Sequence, residues 1–230
     1  MKTIGVLGGM SWSSTMAYYR MMNEEVSRRL GGLHSARLLL YSVDFAEIAE
    51  MQRQNEWTLA GRKLAEAAVA LERAGADLLL IGANTMHKVA ETVAAAVRIP
   101  LIHVAEVTAE KIKSAQICHV GLLGTHYVME QPFLRDKFEA AGLRVVLPED
   151  ADRAEVHRMI FEELCQGKFL PESRNRMRRI MARLAERGAE GIILGCTEIS
   201  LLISPDDAQV PLFDTTHIHA MSAVDAALAD

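Results

Sequence analysis

Short, nearly all-apolar runs alternate along this chain with longer segments whose apolar residues recur at helical spacing. Residues 3–7 (TIGVL) form the first run. Gly8 and Gly9 end it, and a helix is expected over 15–30, stopped by Gly31-Gly32. Residues 36–43 (ARLLLYSV) read as a second strand, and the polar segment 44–55 is partly helical in spacing. An Ala-rich helix over 59–74 ends at Gly75, and 77–81 (DLLLI) is a third strand running into Gly82-Ala83-Asn84-Thr85. A helix follows to about residue 97. Residues 100–104 read as a fourth strand and 105–115 as a helix. The rhythm then restarts: strands at 120–123, 143–147, 192–194 and 210–213, with helices at 130–141, 152–166, 172–187 and 215–228. Strands without a polar face, alternating with helices, imply parallel sheets covered on both sides.

The restart is a repeat. Thr3-Ile4-Gly5-Val6-Leu7-Gly8-Gly9 matches His119-Val120-Gly121-Leu122-Leu123-Gly124-Thr125. The run from Gly75 to Asn84 matches the run from Gly188 to Thr197, and Pro100-Leu101-Ile102 matches Pro211-Leu212-Phe213. The order is kept and the spacing drifts by only a few residues. The sequence therefore predicts an α/β chain of two pseudo-symmetric domains, each a mainly parallel sheet flanked by helices. The first covers residues 1–115, with the C-terminal helix (about 215–230) returning to it; the second covers 116–214. A small-molecule site is expected in the cleft between them.

Composition narrows the function. A chain of 230 residues, half hydrophobic and 24% charged, is ordinary for a globular protein and long enough for its own core. A formal net charge of −5 disfavours nucleic acid as partner. No apolar run is long enough to cross a membrane, and the N-terminal run is too short for a signal peptide. The three cysteines, Cys118, Cys165 and Cys196, are too scattered for a disulfide framework, so a reducing cytoplasm is expected.

The repeat aligns Ala83 with Cys196, each just after a strand and a glycine. Asn84-Thr85 follow one and Thr197-Glu198 the other, and each position is expected to open a helix. Helix N-termini favour a carboxylate and lower the pKa of a thiol. Two carboxylate-holding turns with a thiolate on one side suit proton abstraction from a carbon acid. Glu198 reads equally as a first-turn dipole partner or as the residue that orients Cys196. His217 and His219 lie two apart in a helix and point apart, so no metal site is expected; helical ligand pairs are usually about four apart. The Gly-x-Gly-x-x-Gly dinucleotide spacing is absent from the first turn. His87 is expected to bond loop backbone and is given no chemistry.

At these residues the chain resembles the aspartate/glutamate racemase superfamily, in its broad-specificity amino-acid racemase branch. The marks are Gly5-Val6-Leu7-Gly8-Gly9-Met10-Ser11-Trp12, Asn84-Thr85-Met86-His87, Gly121-Leu122-Leu123-Gly124-Thr125, Gly195-Cys196-Thr197-Glu198, and Asp214-Thr215-Thr216 with His219. The resemblance implies racemisation without pyridoxal phosphate or any other cofactor, a small amino-acid substrate such as aspartate or glutamate, and a homodimer. It implies two acid/base residues, usually both cysteines, flanking the substrate α-carbon. It implies carboxylate binding by Asn84, Thr85 and Thr197, and substrate contacts from Met10 and Gln52. It implies, by analogy with relatives that take acidic amino acids, a basic partner for the distal carboxylate at Lys168. The chain departs from the pattern at Ala83, which stands where the first cysteine is expected. Relatives with threonine there prefer L-enantiomers. A single-cysteine decarboxylase or isomerase of a small carboxylic acid, or an amino-acid binder with impaired chemistry, stand as alternatives.

Overall fold

Strand β1 (Ile4–Gly8) lies at the centre of the first sheet, with β2 (Leu38–Ser42) on one side and β3 (Leu78–Ile81) on the other. Both neighbours run parallel to it: Ile4 is in register with Leu38 and Leu78, and Leu7 with Tyr41 and Ile81. The computed structural model describes residues 1–229; the expectation for Asp230 lies outside them. β1 and β3 are buried on both faces, so neither face can be polar there, whereas the edge strand β2 leaves Leu40 and Tyr41 exposed. Ile4, Val6, Leu78 and Leu80 pack on one side against Tyr18, Met22 and Val26 of α1 (Trp12–Leu30) and Ala220, Ala223 and Val224 of α11 (Thr215–Leu228). Leu7, Leu79 and Ile81 pack on the other against α2 (Phe45–Arg53) and α3 (Trp57–Arg73), through Ile48 and Leu64. This alternation within an all-apolar strand is the period-2 pleat buried on both sides.

The second sheet is built alike, from β4 (His119–Leu123), β5 (Arg144–Val146), β6 (Gly191–Leu194) and β7 (Leu212–Asp214) in the order β5-β4-β6-β7, all parallel. One face packs Val120, Leu122 and Ile193 against α5 (Val104–Ser114), α6 (His126–Glu130) and α7 (Pro132–Ala140). The other packs Leu123, Ile192 and Leu194 against α8 (Asp150–Glu162), α9 (Pro171–Glu186) and the single turn α10 (Ile199–Leu202).

The internal repeat holds hydrogen bond by hydrogen bond. Ala76 N–H donates to Leu71 O and Ala189 N–H to Leu184 O. Leu79 N–H donates to Pro100 O and Ile192 N–H to Pro211 O. Gly82 N–H donates to Leu7 O at 2.9 Å and Gly195 N–H to Leu123 O at 2.6 Å. Asp77 accepts from Thr3 N–H as Glu190 accepts from His119 N–H. A Cβ at Gly195 would stand 2.7 Å from Leu123 O, so only glycine permits this close approach directly before Cys196.

Three expectations change. The helix at 105–115 starts at Val104 and packs through Val104, Ala105, Ala109 and Ile112 on the second sheet. The first compact unit therefore ends at His103, not near residue 115, and resumes at His219 within α11; residues 104–218 form the second. The strand expected at 100–104 is a single parallel bridge, Leu79 to Leu101, because the chain turns into α5 at once. The helix expected to residue 97 is a 3-10 turn over Thr85–Val89 and a six-residue helix α4 (Ala90–Ala95).

Candidate active site

Cys196 follows β6 in the middle of the second sheet, where the chain leaves the strand at Gly195. Its surroundings are apolar: it packs with Leu194, Ile199 and Leu202, with Cys165 at the margin. Two groups of Glu198 reach the thiol: its backbone N–H is hydrogen-bonded to the sulfur, and its carboxylate accepts from it. Sγ donates to Glu198 Oε2 at 3.1 Å, and Thr197 Oγ1 donates to the same oxygen at 2.6 Å. All three residues are buried. Thr215 Oγ1 donates to Leu194 O at 2.8 Å and ties the strand end below Cys196 to the start of α11. Of the two readings of Glu198, this geometry is that of a residue that orients Cys196.

Burial pushes the Cys196 thiol well up from its ordinary value, the nearby Glu198 carboxylate pushes it further, and Cys165 adds to the effect. The expectation of a lowered pKa is overturned in its net direction: the Glu198 N–H at this turn does lower it, but α10 has only four residues and starts at Ile199, and desolvation outweighs that single donor. The resting group is a thiol, with a carboxylate in place to take its proton. Burial likewise pushes the half-buried Cys165 thiol up to about 12, and Cys118 is exposed.

In the first unit, Ala83 and Asn84 occupy the turn after β3, both buried. Asn84 and Thr85 open a 3-10 turn of five residues, too short for a useful macrodipole, so the expected carboxylate would have to be held by individual donors there. Met10 is buried in the turn after β1, where Gly9 has φ +90 and donates its N–H to Thr15 Oγ1 at 2.8 Å. Gln52 is buried on α2 and its Nε2 donates to Met86 Sδ at 3.1 Å. Met86 belongs to the Asn84 turn, so Gln52 and that turn are one packed group. Arg53, its neighbour, is exposed and pairs with Glu50. Lys168 is exposed in the second unit, donating to Gln166 Oε1 at 2.8 Å, in a loop held by its N–H on Glu163 O.

Sequence reasoning missed a buried histidine cluster behind the Asn84 turn. His219 Nε2 lies 2.8 Å from Ile102 O, and a carbonyl only accepts, so Nε2 carries the proton. Nδ1 must then accept from the Tyr18 hydroxyl at 2.9 Å. His87 packs its ring at 4.7 Å from that of His103 and 5.5 Å from that of His219. The signal was present as polar residues inside apolar helical stripes, Tyr18 and His219. His217, by contrast, is exposed, so the two histidines do not converge. Among the described residues no group of three or more His, Cys, Asp or Glu is arranged to hold a metal ion.

Burial pushes His219 down to about 4 and His87 well below its ordinary 6.5. Above pH 6.5 these rings are neutral folded or unfolded. As pH falls from 6.5 towards 4 the unfolded chain binds protons that the folded chain refuses, and stability is lost, by about 3 kcal/mol for His219 alone. Glu25, Glu155 and Asp207, which Arg partners hold at about 2, lose their contributions mainly below this window. The urea midpoint is therefore expected to drop clearly between pH 7 and pH 4.5. An unchanged midpoint would contradict a neutral buried cluster.

Comparison with known proteins gives this arrangement a context. The Asp/Glu/Hydantoin racemase profile matches residues 7–223, nearly the whole chain. The chain belongs to this family. A broad-specificity amino-acid racemase, RacX of Bacillus subtilis (strain 168), is 22% identical over 98% of both chains. A crystal structure from Yersinia pestis, described as a candidate Asp/Glu racemase, is 50% identical with a TM-score of 0.93 and full coverage of both chains. An aspartate racemase homologue from Pyrococcus horikoshii OT3 is 36% identical with a TM-score of 0.86, again over both chains entirely. The family's two-sheet α/β architecture is the one described above, and amino-acid racemase activity is the function its membership supports. Among the described residues no helix is long and apolar enough to cross a membrane.

Proposed function

We propose that this chain is a cofactor-independent amino-acid racemase of asymmetric design, with Cys196 as its one thiol acid/base. The observation that carries the reading is the buried Cys196 Sγ–H donating to Glu198 Oε2 at 3.1 Å. Glu198 takes the thiol proton, the thiolate removes the substrate α-proton, and both transfers then reverse. The Glu198 charge raises the thiol pKa, yet at 3.1 Å this carboxylate is also the group that accepts the proton, and the Glu198 N–H on the sulfur favours the thiolate so formed. Asn84, Thr85 and Thr197 bind the α-carboxylate, Met10 and Gln52 line the amino-acid site, and Lys168 takes the distal carboxylate of aspartate or glutamate. In the two-thiol scheme the second proton donor occupies the position that Ala83 holds here. Alanine supplies none, so water delivers the proton to the opposite face and inversion is the slow step.

The family likeness also supports a homodimer acting in the cytoplasm. A second reading keeps the single thiol but changes the reaction, to decarboxylation of a malonate-type acid, and the favouring observation is Ala83 itself. The two separate in heavy water. The purified protein is expected to wash deuterium into the α-position of aspartate, glutamate or a related amino acid, read by proton NMR, with no added pyridoxal phosphate. Release of carbon dioxide from a substituted malonate, with no exchange into any amino acid, would overturn the racemase reading.

A further inference from the structure

The carbonyl groups of the two mirrored turns are satisfied by different means. Cys196 O accepts from Ile199 N–H at 3.1 Å, a backbone bond within its own turn. Ala83 O, its counterpart, accepts from a side chain: His87 Nδ1 lies 3.0 Å away, and since a carbonyl only accepts, Nδ1 carries the proton. The backbone N–H of His87 goes to Asn84 O at 3.1 Å instead. The residue corresponding to His87 in the second half is Ser200, whose buried hydroxyl makes no hydrogen bond among the described residues, so the device belongs to the half that lacks the thiol.

We propose that His87 is a positioning residue for carboxylate binding: by holding Ala83 O it fixes the Ala83–Asn84 peptide and so sets the direction of the Asn84 N–H. In a planar trans peptide the C=O and N–H point opposite ways. With the carbonyl drawn towards the His87 ring, the Asn84 N–H is presented on the far side, as a donor to the substrate α-carboxylate. The ring itself cannot turn away. It is buried and wedged against His103 and His219, and His219 is held between the Tyr18 hydroxyl and Ile102 O. The orientation of one peptide therefore rests on a helix contributed by the C-terminal end of the chain. A preset donor binds an anion without the cost of turning the peptide first.

This inference rests on the reading of the Asn84 turn as the carboxylate site, and its test separates the two. Heavy-water exchange is measured for the amino acid that wild type exchanges fastest and for that amino acid's α-amide, which lacks the carboxylate. His87→Phe and His87→Leu keep an apolar ring or similar bulk but have no donor; His87→Gln keeps a donor. The first two are expected to raise KM for the acid about 10–100-fold, the loss of one bond to a charged group. KM for the amide is expected to change less than about threefold, and His87→Gln to recover part of the loss. A merely structural role would lower the folded fraction and scale acid and amide together. If both substrates shift alike in the two donor-free variants, the positioning role is wrong while the racemase reading stands. If wild type exchanges no amino acid, the parent reading fails and this one with it.

Discussion

Replacing Cys196 with alanine is expected to lower α-hydrogen exchange by at least about 10²–10⁴-fold, the usual weight of a general acid or base. The loss falls on kcat, because the substitution leaves the Asn84 turn and Thr197 in place. Stability should change little: the site is apolar, and the polar partner left behind, Glu198 Oε2, keeps the Thr197 hydroxyl at 2.6 Å. Glu198→Gln is expected to give a smaller loss, since the thiol survives but its nearest proton acceptor does not. Full exchange activity in Cys196→Ala, measured by proton NMR in heavy water, would remove the thiol from the mechanism.

Ala83→Cys is expected to act in the opposite sense. It supplies the missing second donor at a buried position directly after Gly82, where the repeat aligns residue 83 with Cys196. Inversion, followed by chiral chromatography, should rise by about 10²–10⁴-fold, and Ala83→Thr should give a smaller gain because a hydroxyl is a poorer acid/base than a thiol. Exchange with retention should barely change, because in the proposed mechanism it needs only Cys196. If Ala83→Cys leaves inversion at the wild-type rate, the asymmetry of this protein has another cause.

Much of this was legible in the sequence, for physical reasons. Strands β1, β3 and β6 are buried on both faces and so leave unbroken apolar runs, and the glycines that end them are demanded by close backbone approach. The repeat then located Cys196 and its counterpart Ala83, and the paired bonds of Gly82 and Gly195 give that alignment a structural form. What was not legible depends on contacts between distant segments. The upward push on Cys196 comes from burial, which a motif does not record, and from the Glu198 carboxylate and Cys165 beside it. The first unit ends at His103 because Val104 already belongs to a helix packed on the other sheet, a preference invisible in its own residues. His87 is expected from its position to bond loop backbone, and its Nδ1 does so at Ala83 O; that its ring is packed against His103 and His219, with His219 held by Tyr18 from near the other end of the chain, is not visible locally.

The most direct test of a one-thiol racemase is the ratio of exchange to inversion in a single wild-type sample. An L-amino acid is incubated in heavy water, and deuterium in the recovered L-form is compared with the amount of D-form. If Cys196 and Glu198 work one face and Ala83 leaves the other without a donor, deuterium enters the L-form at least about tenfold faster than the D-form appears. Equal rates of exchange and inversion would contradict the account, because they require a second proton donor as effective as the first.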